Sequence, residues 1–225
     1  MKRATTLLLL VATLSLVCGT ALMVPVSSQQ AKIVDLPQPT LKGSMTVEET
    51  LARRRSVRSF TPEPLTIEEL GQLAWAAQGI TEPSTGHRTA PSAGALYPIE
   101  LYIVTGNGLY HYVPQGHKLR LLEEADLREA VARAAGGQSS VRDAAADFVV
   151  TAVYARTAVK YGGRARQYVQ IEVGHVGQNV HLQAVALELG SVSVGAFSEE
   201  RLKSVLSLPE NHEPLYIIPV GHPAT

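Results

Sequence analysis

The chain has almost no cysteine. Cys18 is the only one in 225 residues, which excludes an internal disulfide framework and any thiolate metal cluster. It has no charge excess either, since 20 Lys and Arg face 20 Asp and Glu. A general nucleic-acid binder needs a basic face, so that class is excluded. No HExxH pattern occurs. His175 and His181 are six apart on one predicted helix, which is not a ligand spacing for one face, so no metal site is expected. There is no Rossmann fingerprint, so a nicotinamide would have no domain of its own. Repeats and low-complexity tracts are also absent. What remains is 45% hydrophobic and 18% charged, the make-up of a globular chain with a sizeable core.

One hydrophobic run is long. Lys2 and Arg3 are followed by an almost unbroken apolar stretch from Leu7 to Val26, with Ser27 and Ser28 at its exit. A basic start, an apolar centre and a small polar exit read as a secretory signal peptide. An uncleaved anchor is the other reading, because about 20 apolar residues span a bilayer. Either way residues 1–28 imply an exported protein, periplasmic or anchored facing outward. Val17 stands before Cys18, where lipid attachment would want a small residue. Residues 29–45, punctuated by Pro37, Pro39 and Gly43, read as a linker. Residues 46–225 are the folded domain.

Within that domain two capping boxes stand out. Thr46 with Glu49 opens a short helix to Arg54, and Thr66 with Glu69 opens one to Gln78. The second carries an apolar stripe of Leu70, Leu73, Ala74 and Ala77 and ends at Gly79. Trp75 on it is expected in the core or at an interface. Glu100–Thr105 and Leu109–Val113 flank Gly106-Asn107-Gly108 and predict a hairpin. Asp126–Ala135 reads as a helix and Phe148–Tyr154 as a buried strand. Arg164–Leu189 is the longest predicted helix, with Val169, Val173, Val176, Val180 and either Ala184 or Val185 on one side. Its Gly174 and Gly177 suggest close helix packing. Ser191–Val194 and Leu215–Val220 read as strands and Ser198–Leu206 as a helix. Strands mix with helices without regular alternation, so the fold class is α+β.

Three segments carry chemistry. The first is Arg53-Arg54-Arg55-Ser56-Val57-Arg58-Ser59, with four arginines and two hydroxyls in seven residues. Guanidinium forks and hydroxyls suit phosphate oxygens. Arginines at a helix C-terminus are also a plain solvated end. The second is Pro91-Ser92-Ala93-Gly94-Ala95-Leu96-Tyr97-Pro98. Prolines frame small residues there, so a ligand can approach the backbone, unless the segment is only a loop into the next strand. The third, Gly190 to Phe197, ends in Gly195 and Ala196, where a flat ring could lie against small residues, or a plain turn could form. Lys160 and Tyr161 precede Gly162-Gly163. They are a candidate proton-handling pair on a loop, or a surface lysine beside a packing tyrosine.

In this order and spacing the three segments resemble the nitroreductase-like flavoprotein family. The PSAGALYP loop, Lys160-Tyr161, Gly174-His175-Val176-Gly177-Gln178-Asn179 and Val220-Gly221-His222-Pro223 further resemble its SagB-type dehydrogenase branch. The resemblance implies a mainly antiparallel central sheet surrounded by helices, in a homodimer with flavin mononucleotide (FMN) at the interface. It implies an FMN-dependent oxidoreductase that transfers hydride between flavin N5 and a small organic substrate, as a SagB-type dehydrogenase or as a nitro or quinone reductase. NADH or NADPH would be a transient donor. By position Arg54 and Ser56 would face the phosphate and ribityl chain and Arg58 the pyrimidine edge of the ring, with Arg55 also among the cofactor-binding residues. Pro91, Ser92, Ala93, Gly94 and Ala95 would cover the flavin of the partner subunit. Gly195 and Ala196 would lie under the ring, and Lys160 and Tyr161 would be catalytic. A flavin-binding protein that kept the fold without catalysis is the alternative.

Overall fold

The computed structural model describes residues 32–224. The chain divides into two units, Met1–Gln30 and Ala31–Thr225. The first, with the predicted leader, lies outside the described residues. In the second the elements run β1 (Ile33–Asp35), α1 (Val47–Arg53), α2 (Ile67–Gln78), β2 (Ile80–Glu82), β3 (His87–Arg88), β4 (Ile99–Thr105), β5 (Gly108–Val113) and β6 (Lys118–Glu123). They continue with α3 (Arg128–Ala134), α4 (Ser139–Arg142), β7 (Ala146–Ala152), α5 (Tyr154–Tyr161), α6 (Ala165–Ala186), β8 (Gly190–Ser191), α7 (Glu199–Val205) and β9 (Glu213–Gly221). No helix among the described residues is long and apolar enough to cross a membrane.

Seven strands form one sheet in the order β1-β6-β5-β4-β7-β9-β8, every pair antiparallel. β7 is an interior strand, between β4 and β9, and all seven of its residues are buried. A strand covered on both faces must alternate between two cores. Phe148 and Val150 of β7 face one core, with Ile99, Leu101 and Ile103 of β4. Leu70, Leu73, Ala74 and Ala77 of α2 cover it, together with Val169, Val173, Val176, Val180 and Ala184 of α6. Val149, Tyr102 and Val104 face the other core, under Val131 of α3 and Leu202 of α7. Each fully buried side chain of this size contributes roughly 1.5–3 kcal/mol. The expected α+β fold, an antiparallel sheet between helices, is the one observed.

Both capping boxes form. Thr46 Oγ1 accepts from the Glu49 N–H at 3.2 Å, and Glu49 accepts from the Thr46 N–H at 2.8 Å. Thr66 and Glu69 repeat the arrangement at 3.1 and 2.8 Å. Ala184, rather than the half-buried Val185, completes the α6 stripe. A Cβ on Gly177 would stand 3.3 Å from the Tyr216 ring, whereas one on Gly174 would meet nothing within 4 Å. Only Gly177 serves close packing.

Three expectations need correction. Residues 33–45 are not a free linker: β1 pairs with β6, and Leu36 is buried against the core. Gln72 of α2 pins Thr40 through its backbone N–H at 2.8 Å and carbonyl at 3.1 Å. A three-residue edge strand needs no apolar period, so none could show in the sequence. The predicted strand at Phe148–Tyr154 begins earlier and ends at Ala152, and Tyr154 starts a helix. Lys160 and Tyr161 are therefore the last turn of α5, not a loop. Thr157 is the only buried residue of α5 and Val159 is 82% exposed, so this helix carries little of the apolar stripe by which helices are read.

Candidate functional site

The arginine segment is held extended between two neighbours. The Val57 N–H donates to the Ser191 carbonyl at 3.0 Å, the Ala224 N–H to Ser59 at 3.0 Å, and the Thr61 N–H to His222 at 2.9 Å. Ser56 lies beside Ser191 in a parallel bridge. Val57 packs against Gly190 so closely that a Cβ there would stand 2.6 Å from it. The helix end, β8 and the C-terminal segment thus present residues 54–58 as one rigid rim.

The arginines on that rim differ. Arg55 turns back and donates to the carbonyls of Ala52 and Arg54 at 3.0 and 2.8 Å, closing the C-terminus of α1. That is the plain helix-end role. The half-buried Arg54 and exposed Arg58 make no side-chain hydrogen bond or ion pair among the described residues. Their forks remain available to a ligand, next to the exposed Ser56.

His181 of α6 completes this end. One ring nitrogen lies 2.8 Å from Ser191 Oγ and the other 2.6 Å from Ser193 Oγ. Burial, and then the charge of Arg54, lower His181 to about 4. At neutral pH it is an uncharged ring that orients two hydroxyls beside an arginine. Gly195 and Ala196 follow. Val194 is fixed by backbone bonds to Ile217 at 2.8 and 3.0 Å, and Gln138 Nε2 donates to the Ala196 carbonyl at 3.3 Å. Both small residues are exposed.

The loop Pro91–Ala95 sits elsewhere, on another part of α6. It forms a turn of 3-10 helix over Ala93–Ala95, with positive φ at Gly94 (64°) and Ala95 (53°). Ser92 Oγ accepts from the Tyr97 N–H at 2.9 Å. Lys160 and Tyr161 cap this turn. A Cβ on Gly94 would stand 3.0 Å from the Tyr161 hydroxyl and 3.1 Å from Lys160 Nζ. Beneath lies Glu172 of α6, 2% exposed, with Oε1 unpartnered. Burial pushes Glu172 up to about 7, against the opposing pull of the Ser92 hydroxyl and the Arg88 charge.

Glu172 and His181 mark the two groups. Nine residues on a helix are about 13.5 Å of rise and two and a half turns, which leaves the two side chains half a turn apart in direction. Within one chain the rim of Arg54 and the loop of Gly94 therefore occupy opposite sides of α6, and no hydrogen bond or ion pair among the described residues joins them. The structure brings Arg54 and Ser56 beside His181, Ser191 and Ser193, with Arg58 and then Gly195 and Ala196 continuing those two segments, and gathers Pro91–Ala95, Lys160 and Tyr161 elsewhere. Sequence reasoning missed His181 as a hydroxyl-orienting residue, and Glu172. Glu172 did leave a signal: a carboxylate on the buried side of the valine-rich helix. Among the described residues no group of acids, histidines or cysteine could hold a metal ion.

Comparison with known proteins places the fold in a family. A nitroreductase-like protein of Methanocaldococcus jannaschii is 41% identical over 181 residues, spanning 78% of this chain and 90% of that one. The crystal structure of a nitroreductase-like protein from Ralstonia eutropha superposes with a TM-score of 0.79 at 32% identity, over 86% of this chain and 90% of the other. The NADPH:FMN oxidoreductase of Vibrio harveyi, solved with NAD+, matches at a TM-score of 0.60 and 25% identity, over 80% of this chain and 69% of that enzyme. The profile of the nitroreductase family itself matches residues 51–222, from the end of α1 past the last strand. This chain belongs to the nitroreductase family.

Proposed function

We propose that the protein is an FMN-dependent oxidoreductase of the SagB-type dehydrogenase kind, working as a homodimer on a small organic substrate. The observation that carries the cofactor is the pair of uncommitted guanidiniums on a pinned backbone. Arg54 and Arg58 have no partner among the described residues, and the hydroxyls of Ser56, Ser191 and Ser193 stand beside them. Such a donor set fits a phosphate. When bound, the flavin supplies the ring position that accepts or gives hydride. Arg54 and Ser56 hold the phosphate and ribityl chain. Arg58 offers a fixed cation at the pyrimidine edge, where reduction places negative charge. Gly195 and Ala196 leave room for the ring.

The dimer is supported by the separation of the two groups on α6, since a loop that cannot reach its own rim can cover that of a second subunit. Val47, Leu51 and Ile171, on α1 and α6, are half or more exposed and suit such a contact. The dehydrogenase reading is supported by Lys160 and Tyr161 standing over the loop, where an amine and a phenol can take or give the substrate proton. NADH or NADPH as transient donor fits the lack of a nicotinamide-binding domain. Export by residues 1–28 is part of the same proposal, and the N-terminal mass of the protein recovered from cell fractions tests it.

The test of the cofactor is direct. The purified protein is expected to be yellow and to release noncovalent FMN on denaturation. Reduction by NADH or NADPH with quinone, nitroaromatic or C–H substrates then separates the enzyme from a bare flavin carrier. A colourless protein that takes up no added FMN overturns the reading.

A further inference from the structure

A cavity lies behind the Tyr97 end of the loop, at the edge of β4, β5 and β6. Its volume is about 410 Å³, and Gln78, Arg88, Glu100, His111, Arg120 and Arg156 bring polar groups to it. Three arginines thus face one carboxylate, and that carboxylate is already spent. Glu100 is bound at one oxygen by His111 at 2.6 Å and at the other by Arg156 at 2.5 Å. Burial alone would raise Glu100, yet the bonds and charges of His111 and Arg156 bring it to about 2.

Gln78 and Arg120 keep donors unused, and Arg88 has no counter-charge in a direct ion pair. Gln78 is 1% exposed. Its Oε1 accepts from Arg88 Nη1 at 2.7 Å, which fixes the amide and points Nε2 as the donor. That Nε2 is buried with no partner, and a buried donor left unpaired is costly. Arg88 meets the face of the Tyr97 ring at 4.6 Å and makes no ion pair. Burial lowers Arg88, against the charge of Glu100. Glu172, the further carboxyl whose charge reaches Arg88, is itself held toward its neutral form by burial. Arg120 is exposed and makes no side-chain hydrogen bond or ion pair among the described residues. Water could fill hydrogen bonds here but would leave the positive charge unbalanced. An apolar ligand would strand the donors.

We infer that this cavity binds a small oxyanion, a carboxylate or a phosphate group, through Gln78, Arg88 and Arg120. None of these residues belongs to the Arg54–Arg58 rim, so the inference does not rest on the flavin reading. The cavity opens beside Leu96 and Tyr97, the same loop that Lys160 and Tyr161 cap. It is therefore placed to hold the anionic end of a small organic molecule next to that pair.

Calorimetric titration of the purified protein with malonate and, separately, with inorganic phosphate tests the site, at ionic strength held constant with chloride. Saturable binding of at least one anion is expected. Arg120→Gln and Gln78→Met should each weaken it ten-fold or more, while Arg201→Gln, at an exposed position of α7 outside both sites, should leave it unchanged. Arg120 is exposed, so its variant is safe for folding and decides the matter alone if Gln78→Met does not fold. Binding of malonate only assigns a carboxylate ligand, and binding of phosphate only a phosphate ester. Three results overturn the inference: neither anion binding, wild-type affinity in Arg120→Gln, or loss of binding in Arg201→Gln.

Discussion

Gly94 lies directly beneath Lys160, so that a Cβ on the glycine would stand 3.1 Å from the lysine Nζ. Its φ of 64° is in the left-handed region, which costs other residues about 1–2 kcal/mol. Gly94→Ala should therefore lower stability by about that amount and push Lys160 and Tyr161 off the loop. Chemical unfolding of the variant against wild type reads the first effect and turnover the second. An alanine variant as stable and active as wild type would show that neither the backbone nor the overlying pair matters here.

The neighbouring arginines should behave oppositely. Arg54→Ala removes a fork free for ligand and should weaken FMN by roughly 1.5–3 kcal/mol, the weight of a charge-assisted hydrogen bond. Arg55→Ala should leave FMN bound, because its guanidinium is engaged with the carbonyls of Ala52 and Arg54. Its cost should be at most about 1 kcal/mol of stability. Flavin titration of both variants checks this, and equal loss of flavin would contradict it.

Lys160→Ala and Tyr161→Phe should lower turnover by about 10²–10⁴-fold on a substrate with a C–H bond to break. Flavin content should stay unchanged, since neither residue is on the Arg54 rim. Nitro or quinone reduction, which can draw its proton from water, should suffer less. Wild-type turnover of the C–H substrate by both variants would leave the pair as helix end.

Stability should carry two opposed pH dependences. Glu172 keeps its proton to about 7 in the folded protein, against 4.5 as the ordinary value. The folded state binds more protons in that window, so this contribution is full below 4.5 and is lost as pH rises through 7, by roughly 3 kcal/mol. His181 is lowered from 6.5 to about 4. The folded state then binds fewer protons, and its contribution grows from pH 4 to 6.5 by a similar order. Glu172→Gln should be more stable than wild type at pH 8 by more than at pH 5. His181→Gln should flatten the rise on the acid side. Urea unfolding across this range reads both, and parallel profiles for variant and wild type would refute the assignment.

Much of this protein was decided locally. Thr46 with Glu49 and Thr66 with Glu69 specify helix starts through bonds three residues apart. The hairpin of β4 and β5 needs only its glycine-bearing turn. The valine stripe of α6 and the apolar run of β7 declare their buried faces by spacing. The candidate segments around Arg54, Gly94 and Gly195 were legible for the same reason, since each is a short run whose composition carries its chemistry.

What depends on distant partners was not legible. β1 exists because β6 offers it an edge, and Lys160 and Tyr161 end a helix whose own sequence shows almost no buried side. Arg55 reads like Arg54 until the α1 carbonyls claim it. Glu172 is raised by burial under a loop 80 residues earlier, and His181 finds Ser191 and Ser193 only once β8 folds beside α6. The half-turn between Glu172 and His181, which separates the two halves of the site, is helix geometry. The side of α6 on which each residue lies was decided by the packing of α1, β8 and the loop against that helix. Spacing along a chain fixes which residues share a face, whereas burial, charge and unpaired donors arise only where faces meet.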